Sequence, residues 1–142
     1  MAAQLLLLLG IAAAPRCGRP MFGTPLTARL GMALMATGAL LTVWGGRTLG
    51  RQLTALPEPV AHAELIETGI YRHVRHPIYG GLLLLALGWS VRRGSGLALG
   101  LTAGLLALLQ AKAQYEERAL RARFPQYAGY ARRVRRFFPG LY

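Results

Sequence analysis

Polar and apolar positions fall in blocks along this chain instead of alternating at a strand or helix period. Four stretches carry no charged residue: Met1 to Pro15, Leu30 to Gly46, Pro77 to Val91 and Gly94 to Ala111. Within Leu82 to Leu87 and Leu97 to Leu109 no polar face recurs at helical spacing, and a helix apolar all round is embedded in a core or in lipid. Each stretch is a little short of the about 20 residues that cross a hydrocarbon layer roughly 30 Å thick. Arg29, Arg47, Arg51, Arg92, Arg93 and Lys112 stand at the segment ends, where long side chains reach the headgroups. The pattern predicts an all-α, integral membrane protein with about four transmembrane helices, over 1–15, 30–46, 77–91 and 94–111. A cytoplasmic, amphipathic tail over 112–142 completes a single domain, 1–142.

Composition agrees. Hydrophobic residues make up 54% of the chain and charged residues 15%, against about 25% charged in an average soluble domain. The N-terminal Met1-Ala2-Ala3-Gln4 lacks the Lys or Arg of a signal peptide, which favours a first transmembrane helix over a cleaved leader. With four spans, 12 of the 17 basic residues fall on the side holding both termini and the loop from Arg47 to His76. Positive charge marks the cytoplasmic face, so both termini are expected there. The net charge of +12 is thus largely a topology signal. No nucleic-acid-binding module is recognisable, and no nucleic-acid partner is expected. Cys17 stands alone and forms no internal disulfide. The near-exclusive use of Arg over Lys fits a bacterial source and hence an inner membrane.

Segments three and four are separated by Val91-Arg92-Arg93-Gly94-Ser95, short enough to force an antiparallel helical hairpin. Gly96, Gly100 and Gly104 recur every four residues, a spacing that lets helix backbones approach, with the third helix as the expected partner.

Polar residues crowd the membrane boundary from Thr68 to Gly81. Pro77 suits the first turn of a helix and pushes His76 out of the helical region, so His76 stands at the helix entrance. Free amides there favour an anion such as a carboxylate. Gly80 and Gly81 leave the next turn open to a ligand or a neighbouring helix. After the fourth segment, Glu116 and Glu117 are adjacent carboxylates just outside the bilayer, costly unless solvated or paired. Arg121 can pair with Glu117 at i, i+4. Adjacent helical residues point about 100° apart, so at most one of the two is expected to aim into a pocket.

Arg75-His76-Pro77-x-Tyr79-x-Gly81, an apolar hairpin and then Glu116-Glu117 together resemble the signature of the isoprenylcysteine carboxyl methyltransferase family, related to phospholipid methyltransferases. The lead-in from Leu65 to Tyr71 and the later Phe124-x-x-Tyr127-x-x-Tyr130 extend the likeness over about half the chain. The resemblance implies a membrane enzyme that uses S-adenosylmethionine to methylate a lipophilic or lipidated substrate. It implies cofactor binding at Tyr71, His76, Tyr79, Gly81, Glu116, Glu117, Tyr127 and Tyr130; an Arg suffices to orient a carboxylate acceptor, Arg75 or Arg72, and Glu117 is a base should the acceptor be an amine. His73 is the other nearby base. Pro125 stands where relatives commonly carry Gly, and it predicts a sharp turn after Phe124.

The tail's Arg132, Arg133, Arg135 and Arg136 are expected on anionic headgroups. His62, His73 and His76 invite a metal, but only His73 and His76 have local ligand spacing and none is expected. Membrane sterol and enone reductases, which use NADPH, share the ending Pro139-Gly140-Leu141-Tyr142 and are the competing enzyme class.

Overall fold

A computed structural model describes residues 2–50 and 65–138. Their regular structure is helical: α1 (Ala2–Ala13) with a 3-10 turn at Ala14–Arg16, α2 (Pro25–Leu49), a 3-10 turn at Gly69–Arg72, α3 (Pro77–Arg93), α4 (Gly96–Arg123) and α5 (Tyr127–Arg133). An isolated parallel bridge joins Val74 to Arg135. The expected Pro-Gly-Leu-Tyr ending, Arg51 and His62 lie outside the described residues.

Helix limits follow local chemistry and move two expected boundaries. α2 begins ahead of Leu30 because the Thr24 hydroxyl accepts from the Thr27 amide at 3.1 Å while the Thr27 hydroxyl accepts from the Thr24 amide at 3.0 Å. This reciprocal cap, with Pro25 in the first turn, starts the helix, and Arg29 and Arg47 lie inside it. α4 runs past Ala111 to Arg123, so the segment after 111 starts as helix. Lys112 to Arg123 is rich in strong helix formers, and termination waits for Pro125, which holds Phe124 extended at φ −120, ψ 103. The expected turn after Phe124 is therefore present.

By length and composition α2 (25 residues) and α4 (28 residues) can cross a membrane. α1 is a shorter apolar helix, and α3 has 17 residues. The core lies where α1, α3 and α4 meet: Ile11 from α1, Leu83 and Ala86 from α3, and Ala98, Leu105, Leu109 and Ala113 from α4, with Phe137 sealing one end. Ser90 and Thr102 meet inside it with their hydroxyl oxygens 3.1 Å apart, and each hydroxyl lies within hydrogen-bond distance of a carbonyl one turn back in its own helix. Gly94 makes the turn between α3 and α4 at φ 61, and Ser95 caps α4 by accepting from the Ala98 amide at 3.2 Å.

The opposite face of α3 is clamped by α2. Gly31, Gly38 and Gly45 recur every seven residues and meet Gly88, Gly81 and Pro77 in reverse order, so the two helices run antiparallel. A Cβ added at Gly88 would lie 2.5 Å from the Gly31 carbonyl oxygen, and one at Gly38 2.6 Å from that of Gly81. The backbones therefore touch, and nothing larger than hydrogen fits between them. The glycines expected to make such a contact do not. Gly100 faces open space, Gly104 approaches only Leu7 of α1, and Gly96 lies against Met21. The face of α4 that meets α3 is built from Ala98, Thr102, Leu105 and Leu109 instead.

The two glycine sets differ in their response to a methyl group. Gly88→Ala is expected to destabilise the fold by about 1–3 kcal/mol through overpacking. Gly100→Ala is expected to be neutral or stabilising by up to about 1 kcal/mol. Thermal unfolding of the purified protein in one detergent compares them directly.

Candidate active site

Two chain segments build the site by pairing backbones across the start of α3. The Arg75 amide donates to the Arg135 carbonyl and the His76 amide to the Arg136 carbonyl, both at 2.9 Å. The Tyr130 hydroxyl donates to the Tyr71 carbonyl at 2.6 Å. The tail beyond α5 is thus stitched to the lead-in of α3, with Val74 wholly buried between them. Phe137 follows directly, its carbonyl oxygen against Gly80 at 2.6 Å from an added Cβ. Gly80 is open because the tail occupies that space.

Glu117 lies at the centre with no solvent exposure. Its Oε1 accepts from Arg75 Nε at 3.2 Å and Arg136 Nε at 3.1 Å, and faces His76 Nε2 at 3.2 Å. Its Oε2 accepts from Arg121 and from the second Arg136 nitrogen, both at 3.2 Å. Three guanidiniums and an imidazole thus converge on one carboxylate, filling its acceptor capacity. Arg75 also donates to the Ala131 and Val134 carbonyls, the latter at 2.5 Å, and so clasps the end of α5.

Glu116 shares the site, although adjacent residues of a helix diverge. It accepts from the Tyr79 hydroxyl, and its Oε2 lies 3.5 Å from His76 Nδ1. The imidazole spans the angle between the two side chains, so both carboxylates point at one ring and the expectation that only one would aim inward is corrected. Each ring nitrogen faces a carboxylate oxygen, and both act as donors when the ring is an imidazolium. Tyr79 stacks on His76 with ring centroids 5.4 Å apart and planes 1° from parallel, and Phe137 meets the ring edge-on. Glu116 retains 20% side-chain exposure, against none for Glu117, which makes it the more accessible of the two acids.

The remaining residues expected at the site divide. Tyr127 and Tyr130 are 1% and 2% exposed, packed on each other and on Leu65, Leu120, Phe124 and Val134. Burial pushes the hydroxyls of Tyr71, Tyr127 and Tyr130 above the usual phenol range, which keeps them neutral donors. Gly81 faces away from this cluster: Gly38 and Thr42 of α2 fill its open side, so its lack of a side chain serves helix contact and the expected access for a ligand gives way to packing. His73 is exposed. Arg136 was expected on lipid headgroups and turns inward because a buried carboxylate attracts it more strongly. Arg133 stays exposed and pairs with Glu67 at 3.3 Å. A cavity of about 520 Å³, open to one side, lies between the lead-in and the tail, lined by Glu67, Thr68, Gly69, Arg72, Tyr130 and Arg133. That volume lies within the about 300–1,000 Å³ usual for small-molecule sites.

Removing the charge at Glu117 leaves Arg75 and Arg136 poorly compensated beneath the tail. Glu117→Gln is expected to cost about 3–5 kcal/mol and to release the tail. Glu116→Gln, at a partly exposed position, is expected to cost about 1 kcal/mol or less. Limited proteolysis between Phe124 and Phe138, read alongside thermal unfolding, separates the two.

A comparison with curated proteins finds no match. The sequence model of the phospholipid methyltransferase family matches residues 26–127, which begins in α2 and takes in the Arg75-to-Gly81 motif, the Glu116–Glu117 pair and Tyr127. The likeness therefore reaches beyond the half of the chain expected from the motifs and takes in α2. Since the matched stretch covers more than two thirds of the chain, this protein belongs to the phospholipid methyltransferase family, a family of membrane methyltransferases.

Proposed function

We propose that this chain is an integral membrane enzyme that takes a methyl group from S-adenosylmethionine and passes it to a lipophilic acceptor at the cytoplasmic face. The observation that carries the reading is the meeting of the Arg75-to-Gly81 motif with the Glu116–Glu117 pair around His76, across 41 residues of chain. In this reading α1 to α4 all span, α3 and α4 form a hairpin, and the site lies at the hairpin's open end. Large apolar side chains on α2 support it: Leu30, Leu40, Val43 and Trp44 are each at least half exposed, which suits lipid better than water.

The residues present fit the donor. Glu116 keeps unused acceptor capacity beside Tyr79 and His76, suited to an ammonium group or ribose hydroxyls. When bound, S-adenosylmethionine supplies an electrophilic methyl on a sulfonium. The protein's part is to align the acceptor and keep water out. Tyr127 and Tyr130 pack on each other in the cluster that holds the tail.

Arg75 bears on the acceptor. Orienting a carboxylate, as in an isoprenylcysteine methyltransferase, would require its guanidinium, but Glu117 and two tail carbonyls already hold it. That engagement favours an amine acceptor such as a phospholipid headgroup. An amine must shed a proton, and Glu116 is the partly exposed carboxylate placed to take it. Glu117 is then a structural anchor, and Arg75 positions the tail.

Supplying labelled methyl donor to membranes containing the protein is expected to label an extractable lipid. His76→Ala and Glu116→Gln are each expected to weaken S-adenosylmethionine binding by about 1.5–3 kcal/mol in calorimetry. Binding of NADPH in place of S-adenosylmethionine would replace this reading with a reductase.

A further inference from the structure

The single lysine of the chain, Lys112, has an unusual position. At the end of the fourth apolar stretch it is suited to reach outward to headgroups, yet its ammonium turns into the protein. Nζ donates to Gln4 Oε1 of α1 at 3.1 Å and lies 5.1 Å from the centre of the Tyr79 ring. The same ring stacks on His76, and its hydroxyl donates to Glu116. One polar strip therefore runs from α1 through Lys112, Tyr79 and Glu116 to His76.

The strip's two opposite charges, Lys112 and Glu116, are not paired with each other. Arg75, Arg121 and Arg136 all converge on Glu117. Lys112 forms no ion pair among the described residues. Its partners are a neutral amide and a ring face, and an ammonium has three N–H donors, of which Gln4 uses one. A half-buried cation with spare donors and no carboxylate within ion-pair distance among the described residues favours an anion. Glu116 follows one helical turn later, at i, i+4, so the neighbouring charge along the strip is negative and faces the same side of α4.

We propose that Lys112, held by Gln4 and Tyr79, is the seat for the anionic group of a zwitterionic ligand whose ammonium is received by Glu116. The anion is a carboxylate or a phosphate. The carboxylate would come from the amino-acid end of the methyl donor, the phosphate from an aminophospholipid headgroup. The choice of ligands rests on the function proposed above; the charge arrangement does not. Gln4 holds the ammonium in place until the anion arrives, which gives α1 a part in recognition.

Lys112 can be followed without altering the protein, because it is the only lysine. In detergent micelles free of phosphate, an amine-acylating reagent is applied to the full chain, and the peptide containing Lys112 is quantified by mass spectrometry. S-adenosylhomocysteine, its decarboxylated analogue, phosphatidylethanolamine and diacylglycerol are tested as protectants. Protection is expected from at least one of the two zwitterions and not from its counterpart lacking the anion, and the protecting ligand identifies the source. In parallel, Lys112→Gln is expected to weaken binding of that same ligand about tenfold, with Lys112→Arg retaining most of it. Equal protection by zwitterion and counterpart, or protection by neither, overturns the proposal. So does a folded Lys112→Gln protein that binds within about twofold of the original. Protection without any methyl transfer to lipid would sink the functional reading and leave this seat standing.

Discussion

A carboxylate sealed from solvent is tolerable only where donors replace the water it has lost, and Glu117 imposes that condition on everything near it. Desolvation on this scale costs several kcal/mol per ion unless the surrounding hydrogen bonds are nearly complete. The donors come from distant parts of the chain: Arg75 and His76 from the approach to α3, Arg121 from the next turn of α4, and Arg136 from beyond α5. Satisfying one side chain therefore folds the end of the helical frame where α3 begins. It brings the tail beside the lead-in, where the Val74–Arg135 bridge registers the two, and it presents His76 to Glu116. Glu116, spared that role, keeps its access to solvent.

Below this level the frame rests on backbone contact. α3 lies between two different surfaces, glycines toward α2 and a packed apolar and hydroxyl seam toward α4. Positions 81 and 88 fall on one side of the helix and 83, 86 and 90 on the other, as a 3.6-residue period requires. Rigid seating of α3 on both faces fixes where its first turn, and hence His76 and Tyr79, projects.

Much of this was legible in the residues. Charge-free blocks marked all four long helices, and Pro77 and Pro125 marked a start and a stop. The motif from Arg75 to Gly81 and the adjacent glutamates were recognisable as belonging together, although nothing local says that both carboxylates reach one imidazole. The helix contact was misread because spacing by four in Gly96, Gly100 and Gly104 is a familiar signal, whereas the seven-residue spacing of Gly31, Gly38 and Gly45 keeps one face of α2 just as faithfully. Arg136 was hidden for another reason. Among four tail arginines, the one that turns inward is selected by the pairing of residues 135 and 136 with 75 and 76, a tertiary contact without a sequence pattern.

The tail that closes over Glu117 follows α4 in the chain, and this has a bearing on biosynthesis. When α4 leaves the ribosome, its carboxylate has Arg75, His76 and Arg121 to meet but not Arg136, nor the carbonyls that hold Arg75 in place. Insertion of the helices and completion of the site are therefore separate events in time. A nascent chain halted after α4 would already hold its apolar segments yet leave that carboxylate without the donors that come last, the two Arg136 nitrogens.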